Sequence, residues 1–209
     1  MTRFFLLRHG ETVWNQQGNR YCGITDIPLN DAGREQARSA GISLMGNGIS
    51  AIYCSPLQRS LETAKIIGKA LALKPVVDDR LYELDFGQWE GVTRHEIESN
   101  YRGGWDAWLN DPRIAPAGET GDTGAKAAVR YESFMREKGA THADESVAVI
   151  GHNTANRLFI ADSLELPLRF YRSFRQHNCG ISLMEMHNGE MVWERMNETA
   201  HLRKIATEG

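Results

Sequence analysis

Apolar and polar positions along the chain fall into short apolar runs alternating with longer amphipathic stretches. Phe4-Phe5-Leu6-Leu7 is an unbroken apolar run between Arg3 and Arg8 and predicts a short buried strand over 3–8. A polar loop follows through Asn30. Asp31 reads as an N-cap, and the helix it opens runs to about Met45, where Gly46-Asn47-Gly48 ends it. Ala51-Ile52-Tyr53-Cys54 is a second strand. Ser55-Pro56 reads as the cap and opening of a helix from about Leu57 to Leu71, with proline suited to the first helical turn. Val76-Val77 is a third strand.

From 84 to 122 the pattern loosens, and glycines and prolines punctuate short amphipathic pieces carrying Trp89, Trp105 and Trp108. We read 88–122 as a helical cap that shapes a pocket. Its tryptophans and Tyr101 are expected in the core rather than on a ligand. A helix over 123–138 leads into Ser146-Val147-Ala148-Val149-Ile150, the clearest buried strand. Gly151-His152-Asn153 ends that strand, and a helix runs on to Leu164. Asn188-Gly189, between 181–187 and 190–196, signals a hairpin. Strand–helix alternation predicts an α/β fold, a three-layer α/β/α arrangement with a mostly parallel central sheet and a helical cap insertion. The length, 209 residues, fits one domain spanning the chain.

Composition narrows the function classes. No apolar run approaches the roughly 18 residues of a membrane span, and Met1-Thr2-Arg3 leads directly into a strand, so no membrane association and a cytoplasmic location are expected. The three cysteines, Cys22, Cys54 and Cys179, form no CxxC pair and indicate neither a disulfide framework nor a thiolate metal site. A net charge of −3 without a basic block argues against nucleic acid as a partner. It leaves room for a small anion held by a few local arginines.

Chemistry concentrates where strands end. Arg8 and His9 follow the first strand, and His152 follows the strand over 146–150; in open α/β sheets the carboxyl ends of strands are where ligands bind. Arg59 lies in the first turns of the helix after the second strand, where backbone N–H groups also favour an anion. Glu83 follows the third strand. These groups suit phosphoryl chemistry. The two guanidiniums would clamp phosphate oxygens, and His9 would attack phosphorus. His152 would hydrogen-bond the equatorial oxygens, and Glu83 would protonate the leaving alkoxide and then activate water. No metal or other cofactor is called for, since two arginines and a histidine supply the positive charge. His95, His142, His177, His187 and His201 show no metal-ligand spacing and read as structural or surface residues. Arg157 reads as an anchor for a carboxylate rather than a substrate contact.

The runs LRHGETVWN (7–15), GITDIPL (23–29), SPLQRSLETA (55–64), LDFGQWEG (84–91), PAGET (116–120) and VIGH (149–152) together resemble the histidine phosphatase superfamily, of phosphoglycerate-mutase-like fold. The resemblance covers nearly the whole chain. It implies that His9 is phosphorylated, that Arg8, Arg59 and His152 form the phosphate pocket, that Glu83 is the proton donor and that Asn15 binds the phosphoryl group. It further implies that the backbone around Cys22-Gly23 and after His152 lines the substrate side. Members commonly carry glycine after the second catalytic histidine. Here Asn153 takes that place, narrowing the pocket or adding an amide to it while keeping its backbone N–H.

Two branches of the superfamily compete. Mutases typically place Arg, His and Tyr just after the catalytic glutamate and a paired Arg in the cap. Here Leu84-Asp85-Phe86 follows Glu83, and in place of a paired Arg the cap has the separated Arg102 and Arg113. The resemblance therefore favours a phosphatase acting on a small phosphorylated metabolite. A phosphoglycerate mutase-type transfer and a non-catalytic phospho-ligand module stand as alternatives. An exposed edge strand gives a homodimer as a further expectation.

Overall fold

The computed structural model describes residues 1–202, and its six strands form one mixed sheet in the order β3-β2-β4-β1-β5-β6. β1 (Thr2–Arg8), β2 (Ile49–Cys54), β3 (Pro75–Val77) and β4 (Ser146–Gly151) are mutually parallel, and β5 (Ile181–His187) and β6 (Glu190–Glu198) continue antiparallel beyond β1 as a hairpin. The helices are α1 (Val13–Gln16), α2 (Asp31–Leu44), α3 (Gln58–Leu71), α4 (Arg94–Asn100), α5 (Arg102–Asn110), α6 (Gly124–Thr141) and α7 (Asn153–Ser163).

The two-residue period of the strands sorts the core into two layers. Phe5 and Leu7 of β1 and Ala148 and Ile150 of β4 pack with Ala37, Ala40 and Leu44 of α2 and Ala64 and Ile67 of α3. Phe4, Leu6, Val147 and Val149 face the other way, onto Tyr131 and Phe134 of α6 and Leu158 and Phe159 of α7. Both central strands are thus covered on both sides, which explains why their sequences are continuously apolar. The cap segment joins the second layer. Trp89, Trp105 and Trp108 are buried there edge-to-face, and the Trp108 indole donates to the Tyr171 hydroxyl at 3.0 Å. As expected, they are core residues.

Helix starts differ from the sequence reading in two places. The N-cap of α2 is Asn30, whose side chain accepts from the Gly33 N–H at 2.8 Å, because Glu11 fixes Asn30 through its backbone carbonyl and its carboxylate. Ser55 does not cap α3: its N–H continues the sheet by donating to the Ile150 carbonyl at 3.2 Å, so the helix begins at Gln58. The polar loop after β1 contains α1, opened by a capping box between Thr12 and Asn15. Among the described residues, no helix is long and apolar enough to cross a membrane.

The turn after β1 is pressed against the start of α2. A Cβ on Gly33 would run into the Glu11 backbone, and one on Gly10 into the Gly33 carbonyl. Gly33→Ala is therefore expected to cost about 1–3 kcal/mol. A thermal melt should show a fall of roughly 2–4 °C for each kcal/mol in a chain of this size.

Candidate active site

The parallel register sets Arg8 beside Gly151, and the His9 N–H donates to the Gly151 carbonyl at 3.0 Å. The residues that follow the two strands therefore emerge together, with the His9 and His152 ring centroids 5.2 Å apart. His9 is 5% exposed and His152 wholly buried. His9 Nδ1 lies 2.7 Å from the Gly10 carbonyl. A carbonyl only accepts, so the proton sits on Nδ1 and Nε2 carries the lone pair. Burial, then the Arg59 and Arg8 guanidiniums, hold His9 well below the usual histidine range. Burial, then Arg59, do the same to His152. Both rings are neutral at neutral pH.

Arg8 and Arg59 flank the pair. Arg8 donates to the Gln176 carbonyl at 2.9 Å, and burial and the nearby Arg157 lower its pKa to about 10. Arg59, wholly buried in the first turn of α3, donates to the carbonyls of Thr25, Cys22 and Gly23 at 2.9, 3.1 and 2.7 Å. The same loop is gripped from outside by Glu90, whose carboxylate accepts from Gly23 N–H, Ile24 N–H and the Thr25 hydroxyl at 2.9, 3.0 and 2.7 Å. Burial pushes the Cys22 thiol up to about 11, so it stays protonated at neutral pH. At the N-terminus of α3, Asp26 Oδ1 takes the Gln58 N–H at 2.7 Å.

Glu83 is fixed by the start of α7. Its carboxylate accepts from the Thr154, Ala155 and Leu84 N–H groups at 2.9, 2.8 and 3.1 Å, and Arg130 holds its backbone carbonyl. Asn15 is oriented from two sides: its Oδ1 accepts from the Thr12 N–H and from Asn178 Nδ2, which also donates to the His9 carbonyl at 3.0 Å. The sequence gives no sign of Asn178, which stands in an irregular stretch 163 residues from Asn15.

A cleft of about 180 Å³ opens over these groups. Arg8, His9, Asn15, Cys22, Glu83 and Asn153 line it; Arg59, His152 and Gly23 are buried and form no part of that lining. The sequence reading missed Arg20, Arg94 and Arg172 on the same walls, and misjudged Arg157. Arg157 anchors no carboxylate among the described residues. Its Nε donates to the Asn153 carbonyl at 3.1 Å, its guanidinium lies over the Tyr171 ring at 5.0 Å, and it faces the cleft. Arg8 Nε, Arg59 Nε and both His152 ring nitrogens are buried without a hydrogen-bond partner among the described residues. Among the described residues, no group of three or more His, Cys, Asp or Glu is placed to hold a metal ion.

A model of the histidine phosphatase superfamily (branch 1) matches residues 4–199. The chain belongs to that superfamily. Phosphoserine phosphatase 1 of Hydrogenobacter thermophilus is 30% identical over 208 residues, covering 100% of this chain and 98% of that one. Glucosyl-3-phosphoglycerate phosphatase of Mycolicibacterium vanbaalenii is 34% identical over 173 residues, covering 79% of this chain and 76% of that one. Among solved structures, phosphoserine phosphatase of Entamoeba histolytica in complex with 3-phosphoglyceric acid is similar with a TM-score of 0.88 at 29% identity, over 97% of this chain and 100% of that one. Superfamily membership with relatives that are phosphatases makes this histidine phosphatase a phosphoric monoester hydrolase.

The neutral histidine pair has a pH consequence. A ring held neutral in the fold takes up its proton in the unfolded chain below the ordinary value of 6.5, so this contribution to stability is complete above that value and is lost as pH falls below it. The expected result is a melting temperature that falls as pH is lowered from about 7 to about 5. Over most of that range the ¹⁵N imidazole resonances of both rings should report the neutral form. A His9 titration centred on 6.5 would contradict the geometry described here.

Proposed function

We propose that the enzyme hydrolyses a small phosphorylated metabolite through a phosphohistidine on His9, with Glu83 as proton donor and without a metal ion. The observation that carries this reading is the set of buried nitrogens without a partner among the described residues, on Arg8, Arg59 and His152, gathered around a neutral His9. Buried donors left unpaired are costly, and a bound anion supplies the acceptors they lack. A phosphoryl group offers oxygens to all three side chains and an electrophilic phosphorus to the His9 lone pair.

In the first step His9 Nε2 attacks phosphorus and an N–P bond forms. The ester P–O bond breaks, and its electron pair leaves with the alkoxide oxygen, which takes the proton of Glu83. In the second, the Glu83 carboxylate takes a proton from water, whose oxygen attacks phosphorus. The N–P bond breaks, its electron pair returns to Nε2, and inorganic phosphate departs with Glu83 protonated again. Arg8 and Arg59 balance the charge on the transferring group, and His152 donates to an equatorial oxygen. Asn15, the backbone at Cys22-Gly23 and Asn153 border the substrate.

Two of the three cap arginines stand away from the cleft, which supports hydrolysis over mutase-type transfer. Arg102 and Arg113 pair with Asp106 and Asp162 at 3.6 and 2.7 Å, while Arg94 lines the cleft paired with Glu98.

The test is phosphate release from a panel of phosphorylated metabolites and an aryl phosphate with a chelator present. Release should survive chelation and vanish in a folded His9→Ala variant. Glu83→Gln should slow alkyl esters about 10²–10⁴-fold and aryl esters, whose leaving groups need no proton, much less. Turnover retained by His9→Ala removes the nucleophile from the scheme, and equal losses on both ester classes remove the proton donor.

A further inference from the structure

Four arginines beyond Arg8 line the cleft, and they divide by charge balance. Arg20 pairs with Glu96 at 3.5 Å and Arg94 with Glu98 at 2.6 Å. Arg157 and Arg172 have no carboxylate partner among the described residues. Their contacts are neutral: Arg157 donates to the Asn153 carbonyl, and Arg172 to the Tyr21 and Tyr171 hydroxyls at 3.3 Å. Tyr171 stands between them, with the Arg157 guanidinium 5.0 Å from its ring centroid and that of Arg172 5.8 Å. Arg172 also lies over the Trp105 ring at 5.0 Å.

Aromatic faces hold a guanidinium flat and strip its water, but they leave its in-plane N–H groups to be satisfied from the open side. Two such cations share one small cleft with Arg8. Burial first, and a neighbouring guanidinium after it, lowers the pKa of Arg157 and of Arg8, while the tyrosines around Arg172 raise its own. A second anionic group on the ligand offsets that concentration of positive charge. Arg157 neighbours Arg8, Arg172 neighbours Arg157, and all three line the same cleft.

Resting on the phosphatase reading of the same cleft, we propose that Arg157 and Arg172, set on Tyr171, form a second anion subsite that selects phosphoesters bearing a carboxylate a few bonds from the phosphate. Arg157 and Arg172 are specificity residues in this scheme, distinct from the groups that act on phosphorus.

The probes are 3-phosphoglycerate and glycerol 3-phosphate, which differ only in a carboxylate against an alcohol. Calorimetric titration of the His9→Ala protein should show the carboxylate binding about 10- to 100-fold more tightly, the range for one or two charge-assisted hydrogen bonds. Arg157→Gln and Arg172→Gln, each made in that background, should reduce the preference about tenfold or more. Arg172→Lys should keep part of it, and melting curves establish that each variant is folded. With active enzyme, the ratio of kcat/KM for the two probes should move in parallel. Equal binding of the probes, or a preference that survives both Gln variants, overturns the subsite. Where the aryl phosphate is still hydrolysed, such a result leaves the phosphatase reading standing. Absence of phosphate release from every ester, with neither probe bound, overturns both.

Discussion

The pairing of β1 with β4 is the interaction on which the site depends. Because the two strands are parallel, adjacent and in register from Arg3–Ser146 to Arg8–Gly151, the residues that leave their carboxyl ends must come out side by side. The hydrogen bond from His9 N–H to the Gly151 carbonyl carries the pairing one residue past β1 and fixes the first imidazole against the second. Both strands are sandwiched between helix layers, so both rings are desolvated. With arginines that remain charged beside them, they can only be neutral. A chain with an overall charge of −3 thereby holds a cluster of positive charge at the centre of one sheet edge.

What the sequence made legible follows from this arrangement. Strand ends can be read from apolar runs, so His9 and His152 were visible as a pair, and Arg59 was visible from its place in the first turn of a helix. The chain could not show what depends on contacts between distant residues. Asp31 looks as good an N-cap as Asn30 until Glu11 is seen to hold Asn30 in place. Ser55-Pro56 looks like a helix opening until Ser55 is found still bonded to the sheet. Arg157 sits on a helix where a partner carboxylate is the ordinary outcome, and only the packing of Tyr171 and Asn153 around it shows that none is supplied among the described residues. Asn178, which joins Asn15 to the His9 backbone, has no local signal at all.

Two helix N-termini flank the site, and each bonds a carboxylate of the protein itself: Asp26 on α3 and Glu83 on α7. The α7 terminus serves to hold Glu83 in one orientation at the cleft wall. The burial of Trp89, Trp105 and Trp108 has a similar effect on the cap, which is anchored as part of the second core layer.

The loop 22–25 is bound on its inner side by Arg59 of α3 and on its outer side by Glu90 of the cap segment. Four consecutive residues are thus stapled between the phosphate end of the cleft and the start of the cap, and neither neighbour can shift without pulling on the other. A descendant of this enzyme that takes a bulkier substrate has little freedom to enlarge that wall. Its room for change lies at Arg157 of α7 and Arg172 of the turn at 168–173, whose side chains hold no part of the 22–25 loop.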